Sequence, residues 1–193
     1  AIVVTGCYAQ VFPDAAASLP GVALVAGNPE KEDISSLIEK TALGGRRILV
    51  SDIHDLASCT GPFAGRFHGH TRAFLKVQDG CDAFCRYCIV PIARGRSRSL
   101  PGKDVLERAA SLVAAGHREI VLTGVHLGAY GADLRPQTDL LALCRNIEEG
   151  NVLKRLRLSS IEPREVSDEM IAHMRQSRVL CGHFHIPLQS GDD

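Results

Sequence analysis

The residues with the clearest chemical potential are three cysteines in one short segment. Cys81, Cys85 and Cys88 stand at the spacing C-x-x-x-C-x-x-C in the run KVQDGCDAFCRYCIVP. Cysteine thiolates hold iron–sulfur clusters, and a cluster of four irons takes four ligands. Three close cysteines therefore predict a 4Fe-4S cluster with one iron left open to a ligand that is not protein. An open iron of this kind suits S-adenosylmethionine, whose amino and carboxylate groups chelate it before reductive cleavage.

Two other interpretations of the cysteine triple stay open. Zinc in structural sites takes four protein ligands, often from paired C-x-x-C or histidine spacings, and the sequence holds no second pair of that kind. Buried free thiols are common singly but seldom cluster within so short a segment. The non-enzymatic alternative is therefore a zinc-stabilised binding module.

The sequence around the sulfurs favours the cluster. Phe84 and Tyr87 stand between the cysteines, and we expect their bulk to keep water away from a reducible cluster. A strand-like run over 73–77 precedes the segment, and a helix-like run begins near Asp104. The cysteines are thus predicted to lie on a strand-to-helix loop.

The amino-acid composition limits which class of protein and which binding partners we expect. The 193 residues are 45% hydrophobic, which is enough for the core of one domain and part of another. The 22 basic and 22 acidic residues cancel, so DNA is not an expected partner and any RNA contact must be local. No apolar run approaches the roughly 20 residues that span a membrane. Seven cysteines without a disulfide pattern indicate a reducing compartment and a cytoplasmic location.

Short strands and helices alternate along the chain and predict an α/β fold. In the first part, the strand patterns IVVTG, VALVAG and RRILVSD accompany a helix expected over 31–42. Four strand patterns follow from residue 72 onward, namely AFLKVQ, EIVLTGV, RLRLSSI and HFHIPLQ. They alternate with helices expected over 103–115, 138–149 and 164–175. Strands separated by helices imply a parallel sheet.

The two parts are predicted to be separate domains, 1–68 and 69–193. The residues before the boundary mix His, Ser, Pro, Gly and Phe without period, as is typical of a linker. The chain opens on Ala1 and directly on a strand pattern. We therefore expect it to be an internal fragment of a longer polypeptide.

Ligands of parallel α/β folds gather at the carboxyl ends of the strands. Gly124 follows the second strand of the later part and would let a ligand approach the backbone, although an ordinary turn explains it as well. Glu162 would accept hydrogen bonds from a ribose or an amino group, or would cap the helix that starts at Pro163. Gln189 and Ser190 follow the fourth strand pattern and are expected to line the same site.

Three arginines follow the cysteine segment. Arg94, Arg96 and Arg98 alternate in sequence, and guanidinium groups suit phosphate or base recognition. A solvated run of charge is the common alternative. Because the arginines stand beside the cysteines, we expect them to contact RNA or a cofactor.

Several separated strings resemble the radical S-adenosylmethionine methylthiotransferases, above all the branch that modifies threonylcarbamoyladenosine in transfer RNA (tRNA). The strings are TRAFLKVQDGCDAFCRYCIVPIARGRSRS, EIVLTGVHLGAYGADL, LRLSSIEP and HFHIPLQSGDD. TGCYAQ, near the start, is similar to the last cysteine motif of that family's amino-terminal domain. The resemblance implies a partial (β/α) barrel of the radical SAM type preceded by part of a smaller α/β domain.

The resemblance also implies two 4Fe-4S clusters in the full-length protein. The cysteine triple would hold the cluster that binds S-adenosylmethionine, with the backbone of Tyr87 meeting its adenine. Cys7 would be one of three ligands of an auxiliary cluster, and the other two ligands would lie before residue 1. This chain alone is therefore expected not to complete sulfur insertion.

The reaction that the resemblance implies adds a methylthio group to C2 of threonylcarbamoyladenosine next to the tRNA anticodon. Isopentenyladenosine in tRNA and an aspartate of a ribosomal protein are the alternative substrates. The protein would be a transferase with tRNA as its partner. The residues assign no electron donor and indicate no membrane partner.

Overall fold

The computed structural model of the chain describes residues 1–41, 45–59, 63–150 and 153–192. Packing divides the chain into two compact units, and neither is continuous in sequence. The first unit comprises Ala1–Pro62 with Gly80–Arg96, and the second comprises Phe63–Asp79 with Ser97–Asp193. The cysteine segment thus packs with the first unit. The division into domains at 1–68 and 69–193 stays a prediction.

The first unit is built on a parallel sheet of three strands. These are β1 (Ile2–Thr5), β2 (Val22–Ala26) and β3 (Arg47–Leu49), which lie in that order. The central strand β2 is mostly buried, as is typical of a parallel strand that is covered on both faces. The helices are α1 (Cys7–Val11), α2 (Pro13–Ser18), α3 (Ile34–Thr41) and α4 (Val90–Arg94), with 3₁₀ helices at Pro29–Asp33 and Ile53–Asp55.

Small side chains let these short helices lie close to the sheet. Ala9, Ala16 and Ala17 form an apolar cluster with Val22 and Val25 of β2. The helix that was expected over 31–42 starts instead as the 3₁₀ helix at positions 29–33, since proline favours the first turn, and continues as α3. Residue 42 lies outside the described residues.

The second unit contains a second parallel sheet and a short antiparallel pair. The sheet consists of β4 (Arg72–Lys76), β7 (Glu119–Thr123) and β8 (Leu156–Leu158) in that order, and β5 (Gln78–Asp79) pairs with β6 (Arg98–Ser99). The helices are α5 (Gly102–Ala114), α6 (Leu140–Glu149) and α7 (Asp168–Gln176), with 3₁₀ helices at Leu127–Ala129 and Pro163–Glu165. Within the described ranges, no helix has the length and apolar character to cross a bilayer.

The two parallel sheets confirm the predicted α/β class, but the prediction of a fourth strand over HFHIPLQ is wrong. In the described part of that run, only His185 forms a bridge, a parallel one with Ser160, and further upstream Leu180 bridges Leu156. Pro187 has no N–H to donate to a ladder, which restricts proline to strand edges and ends. The run therefore adds a single bridge after β8 and no strand.

Candidate functional site

The cysteine segment is a loop that backbone contacts close at its base. The N–H of Cys81 donates to the carbonyl of Gly95 at 3.1 Å. Gly80 has a φ of +73°, and a Cβ there would lie 1.8 Å from the carbonyl oxygen of Arg96. Only glycine fits this conformation and this close approach. The two ends of the loop are thus held together just outside the three cysteines.

The three thiols lie on this one loop. Cys85 is exposed, whereas Cys81 and Cys88 are partly buried. Partial burial raises the pKa of the Cys81 thiol, the N–H of Ala83 lowers it, and the charges of Cys88 and Cys85 raise it again. A cationic cluster would relieve that repulsion between thiolates. The donor set therefore fits a cluster held by three thiolates.

In the part of the chain that the structure describes, no three His, Cys, Asp or Glu side chains form a group that could hold one metal ion. The thiolates of a 4Fe-4S cluster bind different irons, so they do not have to converge on one point.

The two aromatic rings of the loop do not shield the sulfurs, contrary to expectation. Phe84 is 68% exposed and Tyr87 is 79% exposed. The loop is short and has no core of its own on which these rings could pack. Phe84 also has a φ of +48°, a conformation that non-glycine residues rarely adopt. Both rings therefore lie at the surface.

Cys7 lies in the same unit as the cysteine triple. It begins α1, which Gly6 separates from β1, and is partly buried. Helix α1 packs against α4, the helix that follows the triple. The side-chain amide of Asn28 also donates to the carbonyl of Ala93 in α4 at 2.6 Å. The fold thus places the proposed auxiliary ligand on a helix next to the one that ends the cysteine segment.

The remaining three cysteines are buried and do not suit the role of a cluster ligand. Cys59, Cys144 and Cys181 are each less than a tenth exposed. Burial raises the pKa of Cys144 to about 12, so this thiol stays protonated at neutral pH.

The three arginines differ in their surroundings. Arg94 ends α4 and is partly buried, Arg96 is exposed, and both belong to the first unit. Arg98 belongs to the second unit, where it pairs with Asp79 in the antiparallel ladder and is 5% exposed. Arg98 therefore does not present its side chain on the surface as an RNA contact would require.

In the second unit, two of the predicted ligand residues come together. The side-chain amide of Gln189 donates to the carboxylate oxygens of Glu162 at 3.3 and 3.5 Å. Glu162 precedes the 3₁₀ helix that starts at Pro163, so it caps that helix as the alternative interpretation held. Ser190 accepts a hydrogen bond from the N–H of Asp192 at 3.0 Å, which stabilises its own turn.

The space beside Gly124 is filled by protein. A Cβ at this position would lie 2.9 Å from Oε1 of Gln78 and 3.1 Å from the Cα of Leu127. Gln78 is completely buried and donates from Nε2 to Ser97 Oγ at 3.0 Å. Gly124 is therefore needed for the packing of a buried glutamine in this structure.

Sequence reasoning missed three polar residues of the same unit. Gln78 accepts a hydrogen bond on Oε1 from the N–H of His126 at 2.8 Å, and Nε2 of His126 lies 2.5 Å from Oε1 of Glu165. Each of these residues follows a strand of the parallel sheet, and this position is the sequence signal that could have identified them. The pairing itself joins residues 39 positions apart, and no local pattern encodes it.

Comparison with known proteins identifies the family. Residues 75–193, more than half of the chain, match the radical SAM superfamily. The chain belongs to this superfamily. The assignment confirms the predicted cofactors, a 4Fe-4S cluster and S-adenosylmethionine. The residues that would bind them remain predictions.

Relatives of this radical SAM chain carry more specific names. It is 39% identical to threonylcarbamoyladenosine tRNA methylthiotransferase MtaB of Bacillus subtilis (strain 168), and 40% identical to the protein of that name from Thermotoga maritima. Both alignments cover the whole chain and 43% of the relative. A tRNA-2-methylthio-N(6)-dimethylallyladenosine synthase of Carboxydothermus hydrogenoformans is 40% identical over 63% of the chain and 28% of the relative. The chain spans less than half the length of each of these relatives.

Proposed function

We propose that this chain is the cluster-bearing part of a radical SAM enzyme that transfers a methylthio group to tRNA. The observation that carries the proposal is the alignment of the complete chain, at 39–40% identity, with proteins named as tRNA methylthiotransferases. That alignment includes the segment that begins with Cys7 as well as the cysteine triple. The closed loop that carries all three thiols supports it independently.

We assign the ligands of the cluster to the cysteine triple. Cys81, Cys85 and Cys88 would hold the cluster. When bound, the cluster supplies the electron that cleaves S-adenosylmethionine reductively.

The substrate that we propose is threonylcarbamoyladenosine in tRNA, modified at C2 of its adenine next to the anticodon. Relatives named for this nucleoside align over the whole chain, whereas the relative named for dimethylallyladenosine aligns over 63% of it. An isopentenyl-type adenosine is the second candidate because that relative reaches the same 40% identity as the others.

Two further features belong to the proposal. Arg94 and Arg96 would contact the phosphates of tRNA, whereas the burial of Arg98 removes it from that surface. Cys7 would serve the auxiliary cluster through which sulfur reaches the base. Because tRNA is the substrate, we place the protein in the cytoplasm.

Mass spectrometry of tRNA nucleosides tests the proposal. Cells that lack the protein should lose the methylthio group of threonylcarbamoyladenosine and keep that of isopentenyladenosine. The unsubstituted gene should restore it, and so should the Cys144→Ala variant, whereas the Cys85→Ala variant should not. Loss of methylthio-isopentenyladenosine instead would select the second candidate. Unchanged tRNA nucleosides would refute both.

A further inference from the structure

The short helix α4 is attached to both ends of the cysteine segment. It begins at Val90, shortly after Cys88. Gly95 directly follows the helix, and its carbonyl accepts a hydrogen bond from the N–H of Cys81 at 3.1 Å. A helix of five residues is too short to be stable by itself. The position of α4, and with it the position of the cysteines, must therefore come from contacts with other elements.

The side chain of Asn28, which follows β2, supplies one of these contacts. Nδ2 of Asn28 donates to the carbonyl of Ala93 at 2.6 Å. Ala93 is completely buried and lies in the last turn of α4, where carbonyl groups have no donor within the helix. Nζ of Lys31 donates to Oδ1 of Asn28 at 2.5 Å. The amide therefore directs its oxygen toward a cation and its nitrogen toward the carbonyl.

The backbone of Asn28 binds the helix that carries Cys7. Its N–H donates to Oε1 of Gln10 at 2.7 Å, and Gln10 lies in α1 together with Cys7. Nε2 of Gln10 donates to the carbonyl of Ser51 at 2.9 Å. Gly27 leaves space for this side chain, since a Cβ there would lie 2.5 Å from Oε1 of Gln10. Asn28 is thus bonded to α1 through its backbone and to α4 through its side chain.

We propose that Asn28 is a positioning residue that sets the distance between Cys7 and the cysteine triple. The inference rests on the proposed function, in which Cys7 serves the auxiliary cluster and the triple holds the other cluster. A sulfur group that is delivered at one cluster to a base activated at the other needs a defined spacing, because a displacement on the order of 1 Å slows such a reaction strongly. Asn28 touches neither cluster and acts through α1 and α4, which belong to the same unit.

Pulsed electron paramagnetic resonance measures this spacing. The triple is loaded with iron and sulfide under anaerobic conditions and the cluster is reduced to its paramagnetic state. A nitroxide label is then attached to Cys7, which is only partly buried, whereas Cys59, Cys144 and Cys181 are buried. We expect one narrow distribution of distances between the label and the cluster in the unsubstituted protein. The Cys7→Ser variant should take up no label.

The Asn28→Asp variant removes only the bond to α4. It keeps the size of the side chain and the backbone bond to Gln10, but a carboxylate oxygen now faces the carbonyl of Ala93. We expect a second, longer distance to appear, with the ratio of the short to the long population about tenfold lower, because a hydrogen bond is lost and a buried acceptor is left unpaired. Asn28→Ala should change the distribution in the same direction.

Asn146→Asp is the matched control. It makes the same chemical change at an exposed position of α6, and it should keep the single distance. Iron content and thermal unfolding are measured for every variant. If the Asn28 variants lose stability or iron while the distance distribution stays unchanged, Asn28 is merely structural and the inference is wrong.

Failure of the inference and failure of the proposed function give different results. An unchanged distance in both Asn28 variants would overturn the inference and leave the proposed function intact. An unsubstituted protein that binds zinc and forms no paramagnetic cluster would remove both. Asn28→Ala introduces no charge, so it provides the test even if Asn28→Asp does not fold.

Discussion

Cys85 is the most exposed of the three clustered thiols, and its neighbours at positions 81 and 88 are partly buried. A cluster on this loop would therefore have one side in the protein surface and one side open. An exposed iron can be approached by a small ligand, which the reductive chemistry requires. The same exposure predicts that the loaded cluster is sensitive to oxygen.

Replacement of Cys85 with Ala removes one of the three thiolates. After anaerobic reconstitution with iron and sulfide, we expect the variant to lose most of its iron and its visible absorbance. The matched control is Cys144→Ala, since this thiol is fully buried with a pKa of about 12. The control should keep the iron of the unsubstituted protein. Stoichiometric zinc without iron in the unsubstituted protein would contradict the cluster.

Gly80 closes the cysteine loop through its backbone. In the Gly80→Ala variant the new Cβ would clash with the backbone of Arg96, and neither partner is a flexible side chain. We expect a loss of stability of about 2 kcal/mol and a severalfold loss of iron. Gly65→Ala is the control, because the nearest atom to its Cβ is a ring carbon of Phe63 at 3.8 Å. Thermal unfolding and iron content measure both effects, and equal behaviour of the two variants would contradict the role of Gly80.

The side chain of Glu119 connects the three strands of the second parallel sheet. It begins β7 and accepts from Nε of Arg72 in β4 at 2.9 Å and from Nε of Arg157 in β8 at 2.7 Å. Nε of Arg155 lies 3.5 Å from its other oxygen. Partial burial tends to raise the pKa of Glu119, but the hydrogen bond from Arg157 and the three positive charges outweigh it and lower the pKa.

A lowered pKa makes the stability of this sheet depend on pH. The contribution of Glu119 is fully present above its unfolded pKa, near 4.5, and is lost as the pH falls through its folded pKa. We expect Glu119→Gln to destabilise the protein by roughly 1 kcal/mol at pH 7, since two of its arginines are half-exposed. The difference should shrink as the pH falls below 4.5 and through the folded pKa of Glu119. Urea unfolding at pH 7 and at successively lower pH values measures it, and a pH-independent difference would contradict the ion-pair origin.

Local pattern predicted most elements of the second unit. The helix expected over 103–115 is observed at Gly102–Ala114, and the one expected over 138–149 at Leu140–Glu149. Both follow from apolar residues that repeat with the period of a helix. The prediction of a fourth strand over HFHIPLQ failed because hydrophobic periodicity does not take into account that Pro187 has no N–H to donate to a strand ladder. The contact between His126 and Glu165 could not be predicted from the sequence because the two residues lie on loops that are far apart along the chain.

The formal net charge of the chain is zero, so any contact with RNA must be local. Arg96 is the exposed member of the arginine run. The Arg96→Gln variant should weaken tRNA binding and lower the slope of log Kd against log salt concentration by about 0.7–0.9, which corresponds to one phosphate contact. Fluorescence anisotropy with labelled tRNA at several KCl concentrations measures the slope.

Lys103→Gln serves as the control for this measurement, since it removes one positive charge from a side chain of α5 that is 85% exposed. The control should leave the slope unchanged. A slope that is the same in the Arg96→Gln variant and the unsubstituted protein would refute the contact between Arg96 and tRNA.

Each unit is made of two separate segments of the chain, so the order of synthesis determines when each unit can form. The first unit needs residues 80–96, whereas its sheet is complete in sequence by Leu49. On the ribosome, that early sheet must wait until Arg96 has left the exit tunnel before its last helix, α4, can dock. Meanwhile β4 and β5 of the second unit have already emerged without their partners β7 and β6. The nascent chain thus passes through a stage in which both units are started and neither is finished.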